Sequence, residues 1–191
     1  MTYNIITITR EFGSGGRTIG KEIADRLGYK FYDYELVKKA AEESGMAEDY
    51  IKDHGEDASG RSLLSFMWNN AGGSISDLLY IAQRNVIRQI AEEGHCVIVG
   101  RCADYILRER DDVFNIFIHA DMEFKEKRIV EKYGERTDSP QKRVEDKDKR
   151  RIAYYKYYTG RKWGDAKNYQ LSIDSGAFGV EKCVDTIMNL L

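Results

Sequence analysis

The chain has 191 residues, a length that suits one compact α/β domain or one domain with a small insertion. Its 30 Lys and Arg against 32 Asp and Glu leave a formal net charge of −2, which excludes a globally basic nucleic-acid binder but leaves room for a local basic patch. Hydrophobic residues at 42% with 12% aromatics exclude a disordered chain, and one proline beside 17 glycines excludes a collagen-like or linker-rich one.

In chain order, Asn4-Ile5-Ile6-Thr7-Ile8-Thr9 reads as a first strand and runs into the glycine-rich loop Gly13-Ser14-Gly15-Gly16. A helix follows with Ile19, Ile23, Ala24 and Leu27 on one face, and Gly28 ends it as a C-cap does. Tyr29 to Asp33 is a short second strand, and residues 34–43 have a helical pattern. Residues 44–74 are polar, Gly/Ser-rich and weakly periodic, the pattern of an insertion or a mobile substrate flap. Leu78, Leu79, Ala82, Val86, Ile90 and Ala91 mark a helix over residues 76–93, closed by Gly94. Cys96-Val97-Ile98-Val99 is a continuous apolar run, as a strand buried on both faces requires.

A short helix over 103–109, a buried strand from Val113 to His119 and a helix over 122–133 come next. From Ser139 to about Tyr158 the chain is highly charged and helical, with Pro140 at its start. Tyr169 to Asp174 is a fifth strand, and 179–190 a closing helix. Strands alternating with helices predict a parallel sheet in a three-layer α/β/α domain.

Cys96, Cys102 and Cys183 show no CxxC spacing and read as reduced thiols. His54, His95 and His119 are scattered without metal-ligand spacing. No leader-like segment and no run of roughly 18 apolar residues is present, so the expectation is a soluble, cytoplasmic protein without membrane or nucleic-acid partners.

A strand, a glycine-rich turn and a helix together form a phosphate-binding arrangement. Glycines admit close approach, amides point inward, and the helix N-terminus carries partial positive charge. Two registers of the phosphate-loop pattern GxxxxGK[ST] are available. The literal one, Gly15 to Lys21, puts Glu22 at the hydroxyl position and leaves a helix of under two turns. The other, Glu11 to Thr18, lacks the first glycine and has Arg for Lys, but it keeps the penultimate glycine and the hydroxyl and uses the whole Ile19–Leu27 stripe. The second register is adopted. It places Arg17 where Lys usually reaches the β/γ-phosphates and Thr18 where a hydroxyl ligates Mg2+. An ordinary βα turn with glycines for packing is the plain alternative.

With that register, six pieces stand in order between Ile5 and about Leu190: Arg10-Glu11-Phe12-Gly13-Ser14-Gly15-Gly16-Arg17-Thr18, Leu27-Gly28-Tyr29 leading to Asp33, Val99-Gly100-Arg101, Asn115-Ile116-Phe117-Ile118, Asp146-Lys147-Asp148-Lys149-Arg150-Arg151, and Leu171-Ser172-Ile173-Asp174-Ser175. Together they resemble a divergent branch of the cytidylate kinase-like family of nucleoside monophosphate kinases. The resemblance implies the P-loop kinase fold, a five-stranded parallel sheet of order 2-3-1-4-5 with flanking helices. It implies one domain over residues 1–191, with an acceptor-binding insertion at 34–75 and a lid at 134–160. The implied reaction is Mg2+-dependent transfer of the ATP γ-phosphoryl group to CMP or dCMP.

Carried over position by position, Gly13, Ser14, Gly15, Gly16, Arg17 and Thr18 would hold the ATP phosphates, and Ser175 and Gly176 would flank the adenine. Asp33 and Arg101 would serve the acceptor. Asp148 and Arg151 match the lid's Asp-x-x-Arg, with Arg151 approaching the transferring group. The chain departs from the family at Arg17, where Lys is usual, at Glu11, where Gly is usual, and at Val99 and Cys102, where aspartates usually flank the arginine. Asp104 is the nearest replacement carboxylate.

Several residues carry two readings. The cluster Arg128, Arg136, Lys142, Arg143, Lys147, Lys149, Arg150 and Arg151 is a solvated face with i,i+4 pairs or a lid that brings arginines over phosphates. Asp33 caps the following helix, binds ligand at the sheet's carboxyl edge, or does both. Arg101, at the same edge, favours phosphate binding. Gln83, Arg84 and Arg88 on the polar face of the 76–93 helix could reach an acceptor. Of the tyrosines from Tyr154 to Tyr158, one face is expected against the domain and the other near a ligand or subunit interface. The partners expected are ATP and a small anionic acceptor, with monomer or homo-oligomer left open. A kinase for a different small molecule and a non-catalytic nucleotide-binding regulator remain alternatives.

Overall fold

The structure, a computed structural model, describes residues 3–33, 37 and 75–191. Five strands, β1 (Ile5–Arg10), β2 (Lys30–Tyr32), β3 (Cys96–Val99), β4 (Val113–His119) and β5 (Leu171–Asp174), form one parallel sheet of order β2-β3-β1-β4-β5. Side chains alternate across it, as the period of two requires. Ile5, Cys96 and Ile98 face one core with Ala82, Val86, Ile87 and Ile90 of helix α2 (Ile75–Glu93). Ile6, Ile8, Val97 and Val99 face the other, with Ile19 and Ile23 of α1 (Gly16–Leu27) and Val184 and Ile187 of the last helix. Burying each such isoleucine contributes roughly 1.5–3 kcal/mol. The expected three layers and strand order are therefore those observed. Residues 34–36 and 38–74, which hold most of the expected insertion, lie outside the described residues.

Helix α1 starts at Gly16, where the second register requires it, and Gly28 closes it in the left-handed conformation at φ 69°. Lys21, the lysine of the literal register, points away and pairs with Asp25. Helix α3 (Ala103–Ile106) starts where expected, after Arg101 and Cys102 in left-handed φ of 57°, and ends three residues early, where Leu107 leaves helical geometry at φ −101° and ψ 12°. Helix α4 (Met122–Tyr133) begins under an Asp121 cap and packs beside α5 (Pro140–Thr159), which Ser139 caps. The expected closing helix is α7 (Val180–Met188), and a short unexpected helix, α6 (Ser175–Phe178), precedes it across Gly179 at φ 78°. The fifth strand starts at Leu171 because Tyr169 belongs to the turn after a 3-10 helix (Ala166–Asn168), its ring against Phe117. Among the described residues, no helix is long and apolar enough to cross a membrane.

Candidate active site

The sheet order reverses beside β1, and in open α/β sheets ligands bind outside the carboxyl ends of the strands at that point. The glycine loop leaves β1 there. Gly13 has φ 89°, and a Cβ on it would lie 2.9 Å from the backbone oxygen of Lys125. Gly15 has φ 84° and caps α1 without a side-chain hydrogen bond. At the loop's first position, Glu11 stands where a glycine would be, and its carboxylate accepts from Lys125 Nζ at 2.8 Å and from the Ala120 amide at 3.3 Å. Ser175 Oγ donates to the Ser14 carbonyl at 2.5 Å and lies 3.1 Å from the His119 carbonyl. Ser175 thus ties the loop to the ends of β4 and β5, while the Gly176 amide donates to Asp174 at 2.8 Å.

Arg17 projects from the first turn of α1 with its side chain 59% exposed, and its Nε donates to Asp33 at 2.7 Å. That bond joins two residues expected on the donor and acceptor sides. Thr18 Oγ accepts from Arg128 Nη2 at 2.9 Å and lies 3.5 Å from Lys132 Nζ. Lys125, Arg128 and Lys132 recur at helical spacing, so α4 lays one cationic stripe along the loop. Burial and the neighbouring guanidiniums of Arg128 and Arg17 push the Lys132 ammonium pKa down. Arg17, Thr18, Arg128 and Lys132, together with Arg10, Phe12, Tyr133 and Arg151, line a hollow of about 80 Å³ over the loop, and Lys125 lies behind it against Glu11.

A second cavity, of about 440 Å³, opens on the other side of Arg10 and Arg151. Its walls include Gly100, Arg101, Lys147, Arg150, Tyr154 and Trp163, and its volume lies within the ~300–1,000 Å³ of small-molecule sites. Arg101 stacks its guanidinium 4.8 Å from the centre of the Tyr154 ring. The Arg10 guanidinium lies directly beneath Gly100 and would have to shift for a Cβ there, and φ 83° at that position favours glycine. Burial, then Arg151 and Arg101, lower the Arg10 pKa to about 9, which still leaves the guanidinium charged at neutral pH. Three guanidiniums from β1, the β3 turn and α5 are held together here.

Helix α5 latches onto the loop from above. Asp148 accepts from the Phe12 amide at 2.8 Å and from Arg151 Nη1 at 3.3 Å, and Arg151 donates to the Arg10 carbonyl at 2.9 Å. Burial raises the Asp148 pKa, and the Phe12 hydrogen bond and Arg151 oppose the shift. The tyrosines of α5 divide by face: Tyr155 is buried, Tyr154 lines the cavity and Tyr157 is 72% exposed.

Most sequence-derived site residues converge here. Gly13, Gly15, Gly16, Arg17, Thr18 and Arg151 line the hollow, and Asp33, Asp148 and Ser14 brace it through the bonds above. Asp104 does not reach the cavity. It is 3% exposed, accepts from the Tyr155 hydroxyl at 2.7 Å and from Thr9 Oγ1 at 3.5 Å, and burial raises its pKa. Arg84 is half-buried on α2 and is not among the described lining residues of either space. The sequence pattern gives Arg10 and Lys132 no individual role and leaves Arg128 as one of eight basic candidates. The spacing of Lys125, Arg128 and Lys132 on one face was the signal that could have found the α4 stripe.

Thr18 Oγ is a hard oxygen of the kind Mg2+ takes, yet in this arrangement a guanidinium donates to it and an ammonium lies beside it. The loop's carboxylate neighbours, Glu11 and Asp33, are held by Lys125 and Arg17. As placed, these residues do not fit a divalent cation on Thr18.

A parallel sheet of this order, with a glycine loop between its central strand and a helix, defines the P-loop kinase fold. A shikimate kinase from Bacteroides thetaiotaomicron shares the fold, with a TM-score of 0.54, 16% identity and coverage of 97% of this chain and 96% of that one. A protein of Eubacterium ventriosum, described as uncharacterized, matches more closely, with a TM-score of 0.75 and 30% identity over 97% of this chain and 96% of its own. A cytidylate kinase from Methanopyrus kandleri is 25% identical over 188 residues, 93% of this chain and 88% of the relative. The profile of the cytidylate kinase-like family matches residues 5–177, and the chain belongs to that family. Family and fold place it among kinase-type phosphotransferases.

Proposed function

We propose that this chain transfers the γ-phosphoryl group of ATP to a nucleoside monophosphate, with CMP or dCMP the first acceptors to test. The observation that carries the reading is the crowding of Arg10, Arg101 and Arg151 between the loop hollow and the larger cavity. Three guanidiniums gathered beside Asp148 make a strongly positive surface, which suits a phosphate in transfer between two sites. The donor's terminal phosphates lie along the loop amides, Arg17, Arg128 and Lys132, with Ser175 and Gly176 on the adenine side. An acceptor phosphate oxygen, already anionic, attacks the γ-phosphorus in line. One P–O bond forms as the bond to the leaving ADP breaks, and no strong general base is needed. Helix α5, within the lid at 134–160, brings Arg151 over the transferring group, and Asp148 positions it. Asp33 and Arg101 serve the acceptor.

The test is ADP release from ATP with CMP, dCMP, UMP, AMP and GMP offered singly to the folded protein. Turnover with a pyrimidine monophosphate is expected, and failure with all five overturns the proposal. One observation favours a second reading, a kinase for a different small anionic acceptor. The described walls of the larger cavity hold no carboxylate, and Asp104 is turned into the protein. That reading expects ATP to bind while every nucleotide acceptor stays inert.

A further inference from the structure

The loop hollow is strongly cationic. On the described residues around it, six cationic side chains face three carboxylates, Glu11, Asp33 and Asp148. The surplus is three positive charges. A metal-free nucleoside diphosphate carries roughly three negative charges at neutral pH, whereas its magnesium complex carries about one. Arg128 and Lys132 sit on the hydroxyl that would otherwise face the metal, at 2.9 and 3.5 Å. They reach it from a helix whose cap and capping bonds are complete: Asp121 accepts from the Phe124 amide, and Lys125 of the same face is locked to Glu11. The helix backbone under the stripe is thus fixed, with Arg128 half-buried against Thr18 and Lys132 at the exposed edge.

We infer that Arg128 and Lys132 take the place of a divalent cation beside Thr18, so that the diphosphate end of a nucleotide binds this chain without metal. The inference rests on the reading of the loop as a nucleotide site. Each charge-assisted contact to phosphate is short and directional, and losing both would leave the phosphates short of two counter-charges. An added metal would then restore them.

Calorimetric titration with ADP, in EDTA and in magnesium chloride, tests this on the wild-type chain and on the Arg128→Gln/Lys132→Gln double variant. For the wild type, magnesium is expected to change the Kd by less than about threefold. The double variant is expected to bind metal-free ADP at least about tenfold more weakly, and magnesium to recover most of that loss. Arg128→Lys keeps the charge and the wild-type metal independence, which separates charge from folding. A wild type that tightens about tenfold or more with magnesium, or a folded double variant that binds metal-free ADP normally, overturns the inference alone. A wild type that binds ADP in neither buffer overturns it together with the nucleotide reading.

Discussion

The hollow over the glycine loop and the cavity beside it share Arg10 and Arg151, yet they are assembled differently. The hollow is largely one continuous stretch, Glu11 to Thr18, shaped by left-handed glycines and braced by α4. The larger cavity is gathered from β1, the turn after β3, α5 and Trp163, segments far apart in the chain. Local backbone geometry therefore secures the proposed donor side, and long-range packing secures the proposed acceptor side. Substitutions that disturb packing should impair the acceptor first.

The largest test of this contrast removes what the two sides share. Arg151→Ala should cut kcat by about a hundredfold or more, close to 3 kcal/mol of transition-state stabilisation, while the chain still binds ADP. Equal losses in ADP affinity and kcat would mean that Arg151 only holds the ground state. Arg101→Ala should act on one side alone. Loss of a charge-assisted contact worth about 1.5–3 kcal/mol should raise the acceptor KM about tenfold or more and leave the ADP Kd unchanged. A matching loss of ADP binding would erase the distinction between the two sides.

A smaller effect concerns the scaffold under the cavity. Burial raises the Asp104 pKa above its unfolded value, so the folded chain holds that proton more tightly than the unfolded one. Stability gained through this group therefore appears as pH falls from neutral through the folded pKa and is lost as pH rises. Asp104→Asn cannot titrate, so the Tm advantage of the wild type over this variant should grow on acidification from pH 7. A difference that is flat or shrinks would show that folding does not raise this pKa. The smallest effect is expected at Lys21, the lysine of the rejected register. Its exposed pair with Asp25 is worth less than about 0.5 kcal/mol, and Lys21→Ala should bind ADP as the wild type does. Loss of ADP binding would restore the literal register.

Much of the fold is legible in the sequence because strands and helices announce themselves by local periodicity. The apolar run Cys96–Val99 is a strand buried on both faces, and the Ile19–Leu27 stripe locates the start of α1, hence the loop register. Less legible is the fate of charged residues. Arg128 and Lys132 look like any solvated helix face until α4 is set against Thr18. Asp104 looks like a free carboxylate at the sheet edge until Tyr155, 51 residues later, donates to it. Arg10 reads as the residue that opens the glycine-loop motif, and only the folded chain sets it beside Gly100, Arg101 and Arg151.

The order of elements, their amphipathic faces and the glycine turn that opens α1 were settled by residue pattern alone, since backbone preference and side-chain spacing act within a few residues. Which charges meet was settled only by the folded chain. Coulomb interaction depends on distance in space, and the sheet brings together guanidiniums that lie as far apart in sequence as Arg10 and Arg151.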